Sequence, residues 1–137
     1  MLQRDTQQDG KHISKRRILI VDDLEDYLKS LRRALFMKWE VLCAKSLDEA
    51  ISLLKEQDVD IALLDVRLSE SDISNRDGIT VLKWIRENRP TVKTVMMSGY
   101  RDTDAVDTAK DLGAVEFLRK PIDVLQLNDL LHSLYFL

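Results

Sequence analysis

Arg17-Ile18-Leu19-Ile20-Val21-Asp22-Asp23 is the stretch on which the fold turns. Its centre is apolar on successive positions and rich in β-branched residues, as expected of a parallel strand covered on both faces. Two carboxylates follow the apolar run without a spacer. Beyond them the period changes, and Leu28, Leu31 and Leu35 recur at helical spacing within residues 25–38.

The same alternation continues down the chain. Residues 39–44 read as a second strand, followed by a helix with Leu47, Ala50, Ile51 and Leu54 on its apolar face. Ser46 with Glu49 three residues later forms a capping box for that helix. Residues 61–64 give a third strand ending at Asp65, and its helix spans 78–89 with Ile79, Leu82 and Ile85 inward, stopped by Pro90. Residues 92–97 and 115–118 are the fourth and fifth strands, separated by a more polar helix over 103–112 that Gly113 closes. The last helix, 123–135, carries Leu127, Leu130, Leu131 and Leu134. Five strand-then-helix units in about 120 residues predict an α/β fold, an open doubly wound parallel sheet rather than an eight-fold barrel.

The chain of 137 residues is enough for one domain. Residues 1–15 are polar and aperiodic and read as a flexible leader, leaving 16–137 as the folded unit. The 21 basic and 24 acidic side chains give a net charge of −3, which argues against a domain that binds nucleic acid directly. The longest apolar runs have four residues, far short of the roughly 20 needed to cross a bilayer. Without a secretory signal either, the expected compartment is the cytoplasm. A single cysteine, Cys43, excludes an internal disulfide and reads as a small core hydrophobe; Trp39 and Trp84 read as packing residues and His132 as a helix-surface side chain.

In a doubly wound sheet, ligands collect beyond the carboxyl ends of the strands. There the sequence places Asp22 and Asp23, then Asp65, then Ser98-Gly99, then Lys120-Pro121. Singly, each has an ordinary reading: an acidic pair can cap a helix, and the others can be turn residues. Together they converge on one crevice. Clustered carboxylates raise a pKa or demand a compensating cation, and an all-oxygen donor set with one amine nearby points to Mg²⁺ acting with a phosphoryl group. The chemistry implied is phosphoryl transfer to a carboxylate already ionised at neutral pH.

These residues lie in the ordered motifs IVDD (20–23), LLDV (63–66), MMSGY (96–100) and FLRKP (117–121), in which the chain resembles the receiver domain of two-component response regulators. The resemblance covers residues 16–135 and implies a five-stranded (βα)5 sheet of flavodoxin-like order 2-1-3-4-5. It implies Asp65 as the acceptor of a phosphoryl group from a histidine kinase or histidine phosphotransfer protein. Asp22, Asp23, Asp65 and the backbone carbonyl of Arg67 would hold Mg²⁺, with Mn²⁺ as a substitute. Lys120 and Ser98 would meet the phosphoryl oxygens, Ser98 and Phe117 would form the switch pair, and Pro121 would follow a cis peptide bond. Arg67 and Tyr100, each two residues beyond a key position, would modulate access of water. The implied partners are the phosphodonor, a downstream effector domain or protein, and a second copy docking through the fourth helix, fifth strand and fifth helix. The only catalysis implied is self-phosphorylation and autodephosphorylation.

One spacing departs from the family. Gly78 follows Asp65 by 13 residues, where about eight is usual, and the intervening segment adds Glu70, Asp72 and Asp77 beside an acidic crevice. This extension is either a tolerated surface insertion or a modifier of donor docking and phosphoaspartate lifetime. It also keeps alive a rival reading, a receiver-like interaction module that works without phosphorylation. A phosphohydrolase acting on external substrates is the third reading, and no second nucleophile supports it.

Overall fold

A computed structural model describes residues 15–69, 71–99 and 103–135. The elements in chain order are β1 (Arg16–Val21), α1 (Glu25–Leu35), β2 (Trp39–Ala44), α2 (Leu47–Glu56), β3 (Ile61–Asp65), α3 (Asp77–Asn88), β4 (Lys93–Ser98), α4 (Thr103–Asp111), β5 (Glu116–Arg119) and α5 (Val124–Tyr135). All strand pairs are parallel and the order is β2-β1-β3-β4-β5, as the sequence led us to expect. The strand order reverses at β1, so the crevice beyond the carboxyl ends of β1 and β3 is the place for chemistry.

The strand centres are apolar because both faces are covered, with charged residues at strand ends such as Arg16 and Arg119 and on edge strand β2 at Glu40. Ile18, Ile20, Ile61, Leu63, Val95 and Met97 pack with Leu28, Leu31 and Leu35 of α1 and Leu127 and Leu131 of α5. The alternate residues Leu19, Val21, Ala62, Leu64 and Met96 pack with α2, α3 and α4 on the opposite face. This period-two division carries on to the strand ends. Asp65 falls on the α1/α5 side with Ile61 and Leu63, and Ser98 falls on the α4 side with Met96.

Ser46 caps α2 as its spacing predicts, its Oγ accepting from the Glu49 amide at 3.2 Å. The Glu49 carboxylate accepts from the Lys45 amide at 2.8 Å, one residue upstream of the usual reciprocal bond. Ser46→Ala is expected to cost about 1 kcal/mol in urea unfolding without altering the site. At the end of α4, Gly113 takes a φ of 95°, which L side chains rarely adopt, and the Ala114 amide then reaches the Ala109 carbonyl at 2.9 Å.

Several boundaries differ from the sequence reading. The first helix ends at Leu35 rather than residue 38, because buried Trp39 must already be extended to open β2, and residues 36–38 turn between them. Most other ends move by one residue, the ordinary uncertainty of fraying termini. Cys43 is half-buried on edge strand β2 rather than deep in the core, with the Arg32 guanidinium 3.5 Å from its sulfur. Trp39 is buried, Trp84 half-buried and His132 exposed. No helix among the described residues is long and apolar enough to cross a membrane.

Candidate functional site

The carboxyl ends of β1, β3 and β5 bring Asp22, Asp65 and Lys120 into direct contact. Lys120 Nζ donates to Asp22 Oδ2 at 2.6 Å and to Asp65 Oδ2 at 3.1 Å. Asp22 is fully buried and Asp65 is 6% exposed. Asp23 completes an acidic group in which one oxygen from each of Asp22, Asp23 and Asp65 lies within 4.8 Å of the others. The ordinary reading of the acidic pair as a helix cap is not what the fold uses. The N-cap of α1 is Leu24, and Asp22 Oδ1 instead accepts from the Leu24 amide at 2.9 Å.

Three carboxylates facing one ammonium leave negative charge uncompensated when all are ionised. The consequence falls on Asp65: burial first, then the neighbouring Asp22 and Asp23 charges, push its carboxyl up to about 7 against the pull of Lys120. Without a further cation it is therefore not fully ionised at neutral pH, which corrects the sequence expectation. Burial works against the charge of Lys120, but its bonds to Asp22 and Asp65 outweigh it and raise its pKa overall. A compact all-oxygen donor set with surplus negative charge fits a hard divalent cation such as Mg²⁺.

The β5 end is fixed by its neighbour. The Lys120 amide donates to the Ser98 carbonyl at 2.9 Å, and the Lys120–Pro121 peptide bond is cis. Ser98 is 1% exposed, and Phe117 is half-buried against the α2–α4 core, paired in register with Met96. Ser98 and Phe117 thus lie on the sheet face opposite the one that Asp65 follows. Arg67 is half-buried and near enough to Asp72 to lower that carboxyl's pKa, after the larger effect of two hydrogen bonds from Ser74. Tyr100 and Glu70 lie outside the described residues, as does nearly all of the 1–15 leader. Asp60, at the opposite end of β3, accepts from the Arg17 amide at 2.7 Å and takes no part in the cluster.

The long segment after Asp65 is a closed loop. Asn75 Oδ1 accepts from the amides of both Leu68 and Asp77 at 2.9 Å, tying the two stems together. Within it, Asp72 Oδ1 accepts from the amide and hydroxyl of Ser74. The extra residues are taken up there, and Gly78 still meets the strand end, its amide donating to the Val66 carbonyl at 3.0 Å. Asn75→Ala is expected to cost about 1–3 kcal/mol by leaving two amides without acceptors, with faster hydrogen exchange at Leu68 and Asp77 as the local readout.

Two residues escaped the sequence reading. Asn75 gives no signal in a loop of polar residues. Tyr27 stands with its ring 4.4 Å from Lys120 Nζ, and its hydroxyl accepts from the Ile122 amide at 3.4 Å. Its position four residues after Asp23, on the first turn of α1, was the available clue. Burial foremost raises its phenol pKa, so it is protonated at neutral pH.

The family model for the response regulator receiver domain matches residues 18–132. The chain belongs to that family. Among curated relatives, this receiver domain is 32% identical over 120 residues to the photosynthetic apparatus regulatory protein RegA of Cereibacter sphaeroides, covering 87% of this chain and 61% of the relative. It is 31% identical over 119 residues to the response regulator protein PilR of Pseudomonas aeruginosa, covering 86% of this chain and 26% of PilR. The chain therefore spans less than two thirds of these relatives. Among solved structures, a CheY-like response regulator receiver domain protein from Methanospirillum hungatei superposes with a TM-score of 0.80 at 27% identity, over 88% of this chain and 93% of that one. Receiver domains of response regulators are signalling switches rather than classical enzymes, which weighs against the phosphohydrolase reading.

Proposed function

We propose that this receiver domain, residues 16–137 after a leader of 1–15, is a phosphoacceptor switch that takes a phosphoryl group onto Asp65 from a histidine kinase or histidine phosphotransfer protein. The observation that carries the reading is the Lys120 ammonium bridging Asp22 and Asp65 inside the acidic group. Asp65 supplies the nucleophile: one carboxylate oxygen bonds to phosphorus while the bond from phosphorus to the donor nitrogen breaks. Lys120 exchanges its carboxylate partners for phosphoryl oxygens and neutralises charge on them. Asp22, Asp23, Asp65 and the Arg67 backbone carbonyl would hold Mg²⁺, or Mn²⁺ in its place, and the bound ion supplies charge neutralisation at the phosphoryl oxygens.

The phosphoryl group adds acceptor oxygens that draw in the Ser98 hydroxyl, and Phe117, half-buried beside it, turns into the space released. Lacking a phenolic hydroxyl, Phe117 answers through packing alone. This shifts an existing equilibrium by as much as the phosphoryl group prefers one state over the other. Exposed Lys110, Asp111, Glu116 and Arg119 on α4 and β5 then present the changed surface to an effector or a second copy in the cytoplasm. Arg67 and Tyr100 modulate hydrolysis of the phosphoaspartate, which the domain performs on itself. The extension after Asp65 favours the rival, an interaction module that works without phosphorylation, if it blocks the donor.

Incubation with Mg²⁺ and acetyl phosphate separates the two. Intact mass should show one added phosphoryl group, mapped to Asp65; no gain under saturating donor would favour the rival.

A further inference from the structure

We propose that Tyr27 is a positioning residue for phosphoryl transfer, its ring holding the Lys120 ammonium over the acidic group while the carboxylates change partners. The inference rests on reading Asp65 as the phosphoacceptor. Lys120 Nζ sits 4.4 Å from the Tyr27 ring centroid while it bonds Asp22 and Asp65. A cation over an aromatic face is attracted by the ring quadrupole, and the attraction grows as water is excluded; here the lysine side chain is only 14% exposed. The Tyr27 hydroxyl accepts a long 3.4 Å bond from the Ile122 amide. One side chain thus touches both the ammonium and the backbone two residues beyond it.

The need for such a contact follows from the chemistry. Lysine is a compact charge on a flexible stem, and in this structure its two hydrogen bonds go to carboxylates that the reaction must redirect. Once Asp65 carries a phosphoryl group, or a divalent ion draws on Asp22, those bonds weaken together. The ring competes for neither carboxylate. It keeps Nζ in place through the exchange, whereas an aliphatic residue of similar size would fill the space between α1 and α5 without doing so.

The test uses the full chain with acetyl phosphate and Mg²⁺, comparing wild type, Tyr27→Phe, Tyr27→Leu and Tyr27→Met. Phe keeps the ring, and its maximal phosphorylation rate should stay within about twofold of wild type. Leu and Met should lower that rate about tenfold, with little change in the acetyl phosphate concentration giving half the maximal rate. The second readout is NMR of the metal-free protein. The Lys120 ε-methylene protons should show a ring-current shift in wild type and Tyr27→Phe that is absent in Leu and Met. Should Leu fail to fold, Met fills the same space with a flexible, non-aromatic chain and decides the matter. Wild-type rates in the folded Leu or Met variant, or no ring-current shift in wild type, would overturn the proposal alone. A wild-type chain that takes up no phosphoryl group would overturn the phosphoacceptor reading and this proposal with it.

Discussion

Asp65→Asn is expected to abolish phosphorylation outright and, at the same time, to make the metal-free protein more stable at pH 8. The first effect follows because a neutral carboxamide does not attack phosphorus to form the acyl phosphate that a carboxylate forms. Intact mass after incubation with acetyl phosphate should therefore be unchanged for the variant. The second follows from the cost of ionising a group buried beside Asp22 and Asp23. The Asp65 carboxyl stands at about 7 in the fold against an ordinary value of 3.8. Folding thus favours its protonated form between those values, and the folded state binds more protons than the unfolded one across that window. Asp65 therefore contributes a loss of stability to the metal-free wild type as pH rises from about 4 to about 7, levelling off above. Asparagine removes the slope. The gain at pH 8 is of the order of 2–4 kcal/mol, read as a higher urea midpoint for the variant. Mg²⁺ should stabilise the wild type by binding its folded state, narrowing the difference. Equal midpoints at pH 8 and parallel pH profiles would contradict this account of the site's electrostatics.

Gly78→Ala is expected to be the most damaging of the glycine-to-alanine substitutions among the described residues. A Cβ on Gly78 would lie 1.8 Å from the Asp65 carbonyl oxygen and 2.7 Å from its carbonyl carbon. Those are backbone atoms of β3, so no rotamer change relieves the overlap. Either α3 backs away from the sheet, breaking the bond from the Gly78 amide to the Val66 carbonyl, or the end of β3 moves and takes Asp65 with it. Overpacking of this kind costs about 3 kcal/mol or more. The thermal midpoint should drop by about 6–24 °C, on the scale of about 2–8 °C per kcal/mol for domains of this size range. Phosphorylation by acetyl phosphate should fall even below the temperature at which the variant unfolds, because Asp65, the proposed nucleophile, is displaced. A variant of wild-type stability would mean that the close approach of α3 to β3 is not required.

The fold was readable because its signals repeat. Each strand carries a short apolar stretch, each helix has an aliphatic stripe, and Ser46, Pro90 and Gly113 mark ends by local chemistry. The cluster of Asp22, Asp23, Asp65 and Lys120 was readable for a topological reason, since residues just after parallel strands must share one edge of the sheet. What stayed hidden depends on distances that no periodicity encodes. The Tyr27 ring meets Lys120 across a sequence gap that only folding closes. Asn75 closes its loop by the aim of one amide oxygen. The charge state of Asp65 depends on burial and two neighbouring carboxylates, so an isolated aspartate's behaviour was a poor guide. The close approach at Gly78 was also masked, because the extension moved that glycine away from its usual spacing.

The alternation of side chains across the sheet has a consequence for how variants should be sorted. Asp65 and Lys120 follow the layer beneath α1 and α5, whereas Ser98 and Phe117 follow the layer beneath α4. The sheet therefore separates the two sets of side chains beneath different helices, and under the proposed mechanism they communicate only past the strand ends, through Ser98. Conservative changes to hidden residues such as Leu28 or Leu127 should bear first on how fast the domain is charged. Equivalent changes at Ala105 or Ala109 should bear first on what a partner perceives, and pairs drawn from opposite faces should be near-additive in unfolding free energy.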